Sequence, residues 1–508
     1  MPTGTPAFLC PTALVAAAAF AEPVVSITLP KDLQPEPFTG RVYLVMSKGG
    51  MGTPREHMAD WFNPPVILSL DVKDAAPGAP IDLSRPAFAF PQPMAELPAG
   101  VYTVQGVARR SKDHYAPGLG AGDLYSRAQK IAWPPQQPLS LTLDETVKER
   151  KFRESATIKH FSLRSTLLSD FHHRDVTLHA GVALPEGWSE TSTETWPAVY
   201  FVTGFGGSHR DVAMFPRSGD ARKVITIVPD ATNYWGHSVF ADSVNTGPWG
   251  RALTEELIPA VEKQFHGPLG APDATADRAA ARRYVTGISS GGWSSLWLPV
   301  AYPDTFAGAW SHSPDPVDFR AFQLVNLYEP GANMYTLPDG KPNPIARQGD
   351  TPILFYKSFV LMETALGPGG QIRSFEAVFS PRGTDGEPRP LFDRATGAVD
   401  PQTVEAWRPY DIALKLRTEW KQLSPRLVGK LHVYGGSADN FYLDSAVEKL
   451  AATLKELDPD NTIKAEVKII PGMQHSIHFP AQTQMYKAAA TTAPAVKQPA
   501  DPSPAPAK

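Results

Sequence analysis

Short runs of apolar, β-prone residues, separated by proline, glycine and aspartate, occupy the early part of the chain. They lie at residues 24–29, 41–45, 66–70, 100–108 and 139–143. Short strands joined by turns are typical of antiparallel sandwiches. The pattern therefore predicts a β-sandwich-like domain over residues 22–150. We expect its aromatic side chains to form its core, and we find no catalytic cluster in it.

The pattern changes beyond a charged segment at residues 144–151, where strands begin to alternate with helices. This alternation predicts an α/β domain with a mostly parallel sheet and helices on both faces. Two opening antiparallel strands are predicted at 158–168 and 174–184. Further strands are predicted at 198–202, 224–228, 306–311, 430–434 and 465–470, and helices at 251–265 and 447–457, where apolar residues recur at helical spacing.

Two segments of the later chain interrupt this regular pattern. Residues 316–425 are irregular and rich in proline, glycine and aspartate, with one or two helical stretches such as 410–423, and they predict an insertion near the active face. Residues 488–508 are mostly alanine, proline, threonine and lysine, a composition that predicts a disordered tail. The catalytic domain is then expected over residues 151–487.

Composition agrees with a two-domain protein and excludes some functions. The chain has 508 residues, which is too long for one ordinary core, and 52 of them are proline. Its net charge of −4 gives no argument for binding nucleic acid or an anionic membrane. No apolar run after the opening segment reaches membrane-spanning length.

The opening segment, residues 1–21, resembles a signal peptide. An apolar run surrounds Cys10 and ends in an Ala19-Phe20-Ala21 cleavage box, although no lysine or arginine precedes it. The alternative is an alanine-rich disordered leader. We expect a periplasmic or secreted protein. Because Cys10 is the only cysteine, cleavage would leave neither disulfides nor thiol chemistry.

The motif with the clearest chemistry is Gly287-Ile288-Ser289-Ser290-Gly291, which joins a β-rich run to a helix start. Gly-x-Ser-x-Gly between a strand and a helix is the form of a nucleophile elbow. A serine nucleophile needs a base to take its proton and an acid to orient that base. The sequence places Asp439 and then His475 just after two later strands.

The order serine, aspartate, histidine predicts the triad Ser289, Asp439 and His475. Each residue has a structural alternative. Asp439 could cap the following helix, and His475 could be a surface loop residue. His478 competes with His475, and Asp444 competes with Asp439 but is expected inside the helix.

A transition-state oxyanion needs backbone donors. The predicted donors are the N–H of Ser290 and the N–H of Phe205, with Gly206 as the substitute for Phe205. The alternative for this second region, Gly204-Phe205-Gly206-Gly207, is an ordinary glycine-rich turn between a strand and a helix.

Five motifs give this second domain a family resemblance. They are 204–207, 245–249 followed by 255–258, 287–292, 436–439 and 472–476. The region around them, about 155–485, resembles the esterase D or "putative esterase" family of α/β-hydrolases, which includes feruloyl, acetyl-xylan and enterochelin esterases and S-formylglutathione hydrolases. The resemblance implies an α/β-hydrolase fold and an acyl-enzyme, with neither metal nor organic cofactor.

The N-terminal β-domain and the long insertion depart from the compact family members. The β-domain together with export resembles the layout of enterochelin-esterase-like and carbohydrate-esterase proteins. Two substrate-binding candidates, Asp242 and Trp249, lie on a loop that the resemblance places beside the cleft. Two others, Trp235 and Asp315, follow strand ends, as Asn233 and Tyr234 also do, and ligands bind there in open α/β sheets. The alternative for Trp235 and Trp249 is packing.

The sequence therefore predicts a serine carboxylic-ester hydrolase. Its substrate would be a small-molecule ester, or an ester linked to carbohydrate or peptide. One alternative is an acyltransferase of the mycolyltransferase type. Another is a non-catalytic binding module on a hydrolase scaffold, although such a module has no need for all three triad residues.

Overall fold

The computed structural model describes residues 25–48, 53–215, 218–271 and 273–493. The predicted signal segment, residues 1–21, lies outside the described residues, as does the predicted tail from residue 494 onward. Residues 488–490 belong to a helix, so the regular structure extends past the predicted start of the tail. Among the described residues no helix combines the length and apolar character that a membrane span requires.

The first part of the chain forms two sheets over a shared apolar core. Its strands are β1 (Val25–Thr28), β2 (Phe38–Lys48), β3 (Val66–Ala75), β4 (Pro80–Asp82), β5 (Phe88–Phe90), β6 (Gly100–Ala108), β7 (Leu124–Tyr125), β8 (Gln129–Trp133), β9 (Leu139–Thr142) and β10 (Glu145–Thr146). The larger sheet has the order β10-β7-β6-β2-β3-β5 with β8 also on β6, and the smaller has the order β4-β1-β9. Side chains of β1 and β2 meet in one buried cluster.

One strand pair departs from the predicted antiparallel arrangement. β1 and β9 run parallel, with Val25 opposite Leu139. No hairpin joins these two strands, which stand near opposite ends of this part of the chain. A short turn therefore does not fix their relative direction.

The second part is built on one mixed, eight-stranded sheet. Its strands are β11 (Ile158–Arg164), β12 (Thr177–Ala183), β13 (Ala198–Val202), β14 (Ile225–Pro229), β19 (Arg283–Ser289), β20 (Gly308–Pro314), β23 (Leu431–Gly436) and β24 (Glu466–Ile470). Three short strand pairs lie outside this sheet: β15 (Thr232–Asn233) with β16 (Gly236–His237), β17 (Asp242–Ser243) with β18 (Gly247–Pro248), and β21 (Pro344–Gln348) with β22 (Thr351–Phe355). The order is β11-β12-β14-β13-β19-β20-β23-β24. β12 pairs antiparallel with β11 and β14, and the other neighbours are parallel.

The α-helices of this part of the chain are α1 (Thr166–His172), α2 (Trp249–Arg251), α3 (Ile258–Gln264), α4 (Ala276–Ala280), α5 (Ser290–Ala301), α6 (Tyr356–Leu366), α7 (Gln371–Phe379), α8 (Pro401–Trp407), α9 (Ile412–Leu423), α10 (Asp444–Leu457) and α11 (Phe479–Ala490), with a π-helical segment Ala252–Leu257 between α2 and α3. Helices pack on both faces of the sheet: Val199 of β13 shares a buried cluster with Met485 of α11, and the next residue, Tyr200, shares another with Val261 of α3. The strand predicted at 158–168 is shorter, because Ser165 accepts a hydrogen bond from Leu168 N–H at 3.1 Å and caps α1.

The insertion is more regular than predicted. It contains the β21–β22 pair and α6 to α9, rather than one or two helical stretches. Its helices are short and separated by turns rich in proline, glycine and aspartate, which hide their periodicity in the sequence. The β-rich part packs on them: the hydroxyls of Tyr43 and Ser69 each donate to a carbonyl at the end of α6 at 2.7 Å.

Candidate active site

The Ser289 elbow has the strained geometry that its sequence predicts. Ser289 lies between β19 and α5 with φ 59° and ψ −124°, a conformation that costs a non-glycine residue about 1–3 kcal/mol. Gly287 and Gly291 make it possible. A Cβ on Gly287 would lie 2.2 Å from the carbonyl oxygen of Gly291, and one on Gly291 would lie 2.0 Å from that of Val202. Only glycine fits at either position.

Asp439 and His475 form a hydrogen-bonded pair at the ends of β23 and β24. Asp439 Oδ2 lies 2.9 Å from His475 Nδ1. The other carboxylate oxygen accepts from Phe441 N–H at 2.8 Å, and Asp439 is fully buried. Asn440 Oδ1 accepts from His475 N–H at 3.1 Å. These bonds fix the imidazole relative to its acid.

The loop of His475 is also tied to the strand beside the elbow. Ser313, near the end of β20, donates its hydroxyl to the carbonyl of Ser476 at 3.1 Å. β20 is the parallel neighbour of β19, which ends in Ser289. Ser289 and the loop of His475 therefore lie at the same edge of the sheet.

Asp315 is the direct hydrogen-bond partner of Ser289, the candidate nucleophile. Ser289 Oγ donates to Asp315 Oδ1 at 3.2 Å, and Ser290 Oγ donates to Oδ2 at 2.5 Å. Gln371 of the insertion donates from Nε2 to Asp315 Oδ2 at 3.1 Å and to Ser290 Oγ at 3.2 Å. Asp315, predicted as a substrate-binding candidate, is thus part of a buried network around the serine.

The environment of Asp315 disfavours its charge. Asp315 is 5% exposed, and burial raises the pKa of its carboxyl above the ordinary value. The hydrogen bond from Ser290 and the nearby His475 both lower the pKa of this carboxyl.

Sequence reasoning missed Gln371, because nothing in its local pattern shows that the insertion folds back onto the elbow.

The glycine-rich loop after β13 lies against Ser289. A Cβ added at Gly204 would be 3.2 Å from Ser289 Cβ, and Gly207 N–H closes a turn onto the Gly204 carbonyl at 3.1 Å. Gly206, at the tip, has φ 87°. Across from it, Ser290 is the first residue of α5, and the first N–H groups of a helix have no acceptor within the helix.

Aromatic residues from three parts of the chain form one wall of the site. Trp61 of the β-rich part packs on Phe205 and Phe441, with ring centroids 5.9 and 6.0 Å apart. Phe441 in turn meets the His475 ring edge-on at 4.9 Å. Tyr115 packs on Phe205 at 5.0 Å. Trp61 packs against a buried cluster that contains residues of both parts of the chain, and Tyr115 contacts Phe205 of the second part.

Two of the predicted substrate-binding residues have packing roles. The Asp242 carboxylate accepts from Arg251 N–H at 3.1 Å and from the Tyr302 hydroxyl at 2.9 Å. Trp249 is 4% exposed, donates from Nε1 to the Thr246 carbonyl at 3.0 Å and packs in the core. These contacts occupy the Asp242 carboxylate oxygens and the Trp249 Nε1–H, and the placement of both residues beside a substrate cleft stays a prediction from the resemblance.

A cleft of about 1110 Å³ opens beside the glycine-rich loop. Trp235, Asn233 and Tyr234 line it, together with Gly206 and, at its edge, Trp249. Ser289, Asp439 and His475 are not among its lining residues. The glycine-rich loop therefore separates the cleft from Ser289. Trp235 lines the cleft and remains a candidate for substrate contact.

The two competing triad candidates take other roles. Asp444 is the first residue of α10 and lies 3.7 Å from Arg347. His478 precedes α11, and its ring stacks on Tyr434 with centroids 5.0 Å apart. Neither arrangement involves the Asp439–His475 pair.

Comparison with solved structures gives distant matches. A ferulic acid esterase is 12% identical, with 66% of this chain and 96% of that chain covered and a TM-score of 0.37. An S-formylglutathione hydrolase from Agrobacterium tumefaciens is 15% identical (67% and 98% covered, TM-score 0.36). FphF, a fluorophosphonate-binding serine hydrolase of Staphylococcus aureus, is 13% identical (66% and 99% covered, TM-score 0.38).

No curated protein matches the chain. The "Putative esterase" family matches residues 174–479, which hold the elbow, the glycine-rich loop and the Asp439–His475 pair. Because this match spans more than half of the sequence, the chain belongs to the "Putative esterase" family and is an esterase.

Proposed function

We propose that the protein is a serine-dependent carboxylic-ester hydrolase that works through an acyl-enzyme. The observation that carries this proposal is the 2.9 Å bond between Asp439 and His475 Nδ1, beside a serine held in a strained elbow. An acid bound to Nδ1–H keeps the lone pair on Nε2, which is the arrangement a general base needs. The proposed roles are nucleophile for Ser289, general base and acid for His475, and orienter for Asp439.

In the first step Ser289 Oγ attacks the ester carbonyl carbon, and His475 Nε2 takes the hydroxyl proton. The hydroxyl must first turn away from Asp315, to which it donates in this structure. The carbonyl oxygen becomes an oxyanion, and the N–H groups of Ser290 and of Phe205, or Gly206, are the proposed donors to it.

The tetrahedral intermediate then collapses. His475 gives its proton to the departing alcohol, and the acyl group stays on Ser289. Water attacks this acyl-enzyme with His475 again as base, and the carboxylic acid leaves. No step draws on a metal or an organic cofactor.

We propose that the substrate is an ester of a small molecule, or an ester linked to carbohydrate or peptide. Export of the protein stays a prediction from residues 1–21.

The test is the Ser289→Ala variant, with hydrolysis of p-nitrophenyl acetate and labelling by a fluorophosphonate as readouts. We expect both to be lost while the circular dichroism spectrum is unchanged. Ser189→Ala, at an exposed serine, is the matched control and should behave as wild type. Wild-type-like turnover by Ser289→Ala would refute the proposal.

A second measurement separates hydrolysis from acyl transfer. Product analysis in the presence of a modest concentration of an alcohol acceptor should show mainly free acid. Transfer that outruns hydrolysis would instead assign the same acyl-enzyme to an acyltransferase.

A further inference from the structure

Three histidines converge outside the candidate catalytic residues. They are His160 on β11, His179 on β12 and His209, the first residue of a 3-10 helix spanning His209–Met214. One ring nitrogen of each lies within 4.8 Å of the others. Within the described residues, no hydrogen bond or ring contact joins this cluster to Ser289, Asp439 or His475. The proposed ester chemistry does not use these side chains.

The strand register brings the first two histidines to one face of the sheet. His179 is opposite Ser162 and His160 is opposite Gly181, so the two histidines are diagonal neighbours on adjacent antiparallel strands. His160 Nε2 and His179 Nδ1 are 3.1 Å apart. Gly181 makes room for the third, since a Cβ there would lie 2.1 Å from the carbonyl oxygen of His209.

The third histidine is oriented by an acid. His209 Nδ1 is 2.5 Å from Asp230 Oδ2, and Asp230 is held in turn by its backbone N–H, which donates to the His179 carbonyl at 2.9 Å. A carboxylate on one ring nitrogen leaves the other with a free lone pair, as in carboxylate–histidine–zinc arrangements. His209 is 6% exposed, and its buried Nε2 has no hydrogen-bond partner among the described residues.

The ring positions match the dimensions of a metal centre. The three ring centroids are 5.2 to 5.3 Å apart, and the ring planes are within 24° of one another. The centre of such a triangle is about 3 Å from each centroid, which agrees with a zinc–nitrogen bond of about 2.0–2.1 Å plus the distance from a ring nitrogen to its centroid of roughly 1.1 Å.

We propose that His160, His179 and His209 bind a divalent transition-metal ion, with Zn²⁺ as the best match to three neutral imidazoles. His179, His209 and Asp230 line the 1110 Å³ cleft, so a fourth coordination position would face it and take water or a ligand oxygen. The guanidinium of the adjacent residue, Arg210, is directed elsewhere: it donates to the Lys151 carbonyl at 3.1 Å and lies over the Phe152 ring.

The ion would also connect the opening strands to the candidate oxyanion loop. His209 follows Gly204-Phe205-Gly206-Gly207 by two residues, and Ser208 caps its 3-10 helix. Binding at His209 would therefore hold the far end of that loop against β11 and β12.

The test uses the untagged full chain, freed of metal by a chelator and titrated calorimetrically with Zn²⁺. Wild type should bind one ion per chain. His160→Ala and His179→Ala should each bind roughly 100-fold more weakly, and Asp230→Asn about 10–100-fold more weakly through loss of the orienting acid. Cobalt(II) should give the visible absorption bands of a low-coordinate site in wild type but not in His160→Ala or His179→Ala.

His172→Ala is the matched control, because His172 lines the same cleft but lies outside the cluster. It should bind Zn²⁺ as wild type does. Fluorophosphonate labelling of Ser289 shows that each variant is folded, and a folded variant with weakened binding supports the site. Equal Zn²⁺ binding by wild type, His160→Ala and His179→Ala would overturn it, as would wild-type chain that binds no ion.

Discussion

Ser289 donates its hydroxyl to Asp315 at 3.2 Å, whereas His475 is held by a different carboxylate, that of Asp439. Two acids therefore reach the candidate catalytic residues, and they contact different members. Asp439 controls which nitrogen of His475 carries the proton. Asp315 controls the resting direction of the serine hydroxyl.

This division predicts unequal effects of two matched substitutions. Asp439→Asn presents an amide to His475 and favours the wrong tautomer, so kcat should fall by about 10³–10⁴-fold. Asp315→Asn keeps an acceptor and a donor within the buried network, so its kcat should fall by less than about tenfold. The measurement is kcat for p-nitrophenyl acetate. If kcat fell further in Asp315→Asn than in Asp439→Asn, Asp315 rather than Asp439 would be the acid that matters more for catalysis.

The elbow predicts a stability difference between two inactive variants. Ser289→Ala keeps a Cβ at φ 59° and ψ −124°, but Ser289→Gly removes it and relieves the strain. We expect the glycine variant to be more stable than the alanine variant by about 1 kcal/mol. Thermal unfolding of the two proteins side by side checks this. An alanine variant as stable as the glycine variant would show that the elbow is unstrained.

The aromatic wall predicts that the β-rich domain affects catalysis. Trp61→Ala removes the ring that packs on Phe205 and Phe441, and Phe441 in turn contacts His475. An aromatic pair contributes about 0.5–1.5 kcal/mol, so kcat/KM should fall by roughly tenfold. Its neighbour Phe62 is 56% exposed, and Phe62→Ala should keep wild-type kcat/KM. Equal values for both variants would contradict the role of Trp61.

Glu363 predicts a change of stability with pH. Burial raises the pKa of its carboxyl from an ordinary 4.5 to about 7, although the N–H groups of Ile372 and Arg373 bond to it. Between these values the folded protein keeps a proton that the unfolded chain has lost, so this group's contribution to stability falls as pH rises from 4.5 to 7.

Glu363→Gln carries no such proton. Its free energy of unfolding relative to wild type should therefore rise between pH 5 and pH 8 by a few kcal/mol. Denaturant unfolding of both proteins at the two pH values measures this difference, and any constant effect of the substitution cancels. A difference that is the same at both pH values would mean that Glu363 is ionised throughout.

The elements that sequence predicted best are those whose signal is local. The strand before Asp439 is mostly buried, and its apolar residues Leu431, Val433 and Tyr434 are typical of the interior of a parallel sheet. The strand before His475 is the partly exposed edge strand of the sheet, and Val467, Ile469 and Ile470 still give it a local apolar signal. The elbow needs glycine at two positions for close backbone approach, and this requirement is also visible in the sequence.

The contacts missed by sequence reasoning join distant segments. Gln371 of the insertion contacts Asp315, 56 residues earlier in the chain, and Trp61 of the β-rich part contacts Phe441. Neither has a periodic pattern or a motif of its own. Asp315 follows a strand end, and this position predicts a side chain at the site. The position alone does not show whether that side chain contacts a substrate or the neighbouring Ser289.

The aromatic wall has a consequence for how substrate preference diverges in this protein. Trp61 and Tyr115 lie outside the region shared with the family, residues 174–479, yet they contact Phe205 within it. We therefore expect mutations in the β-rich part to reshape the approach to Ser289 while the proposed catalytic residues stay unchanged. We also expect that exchange of substrate range with another family member would need this part of the chain to be grafted as well.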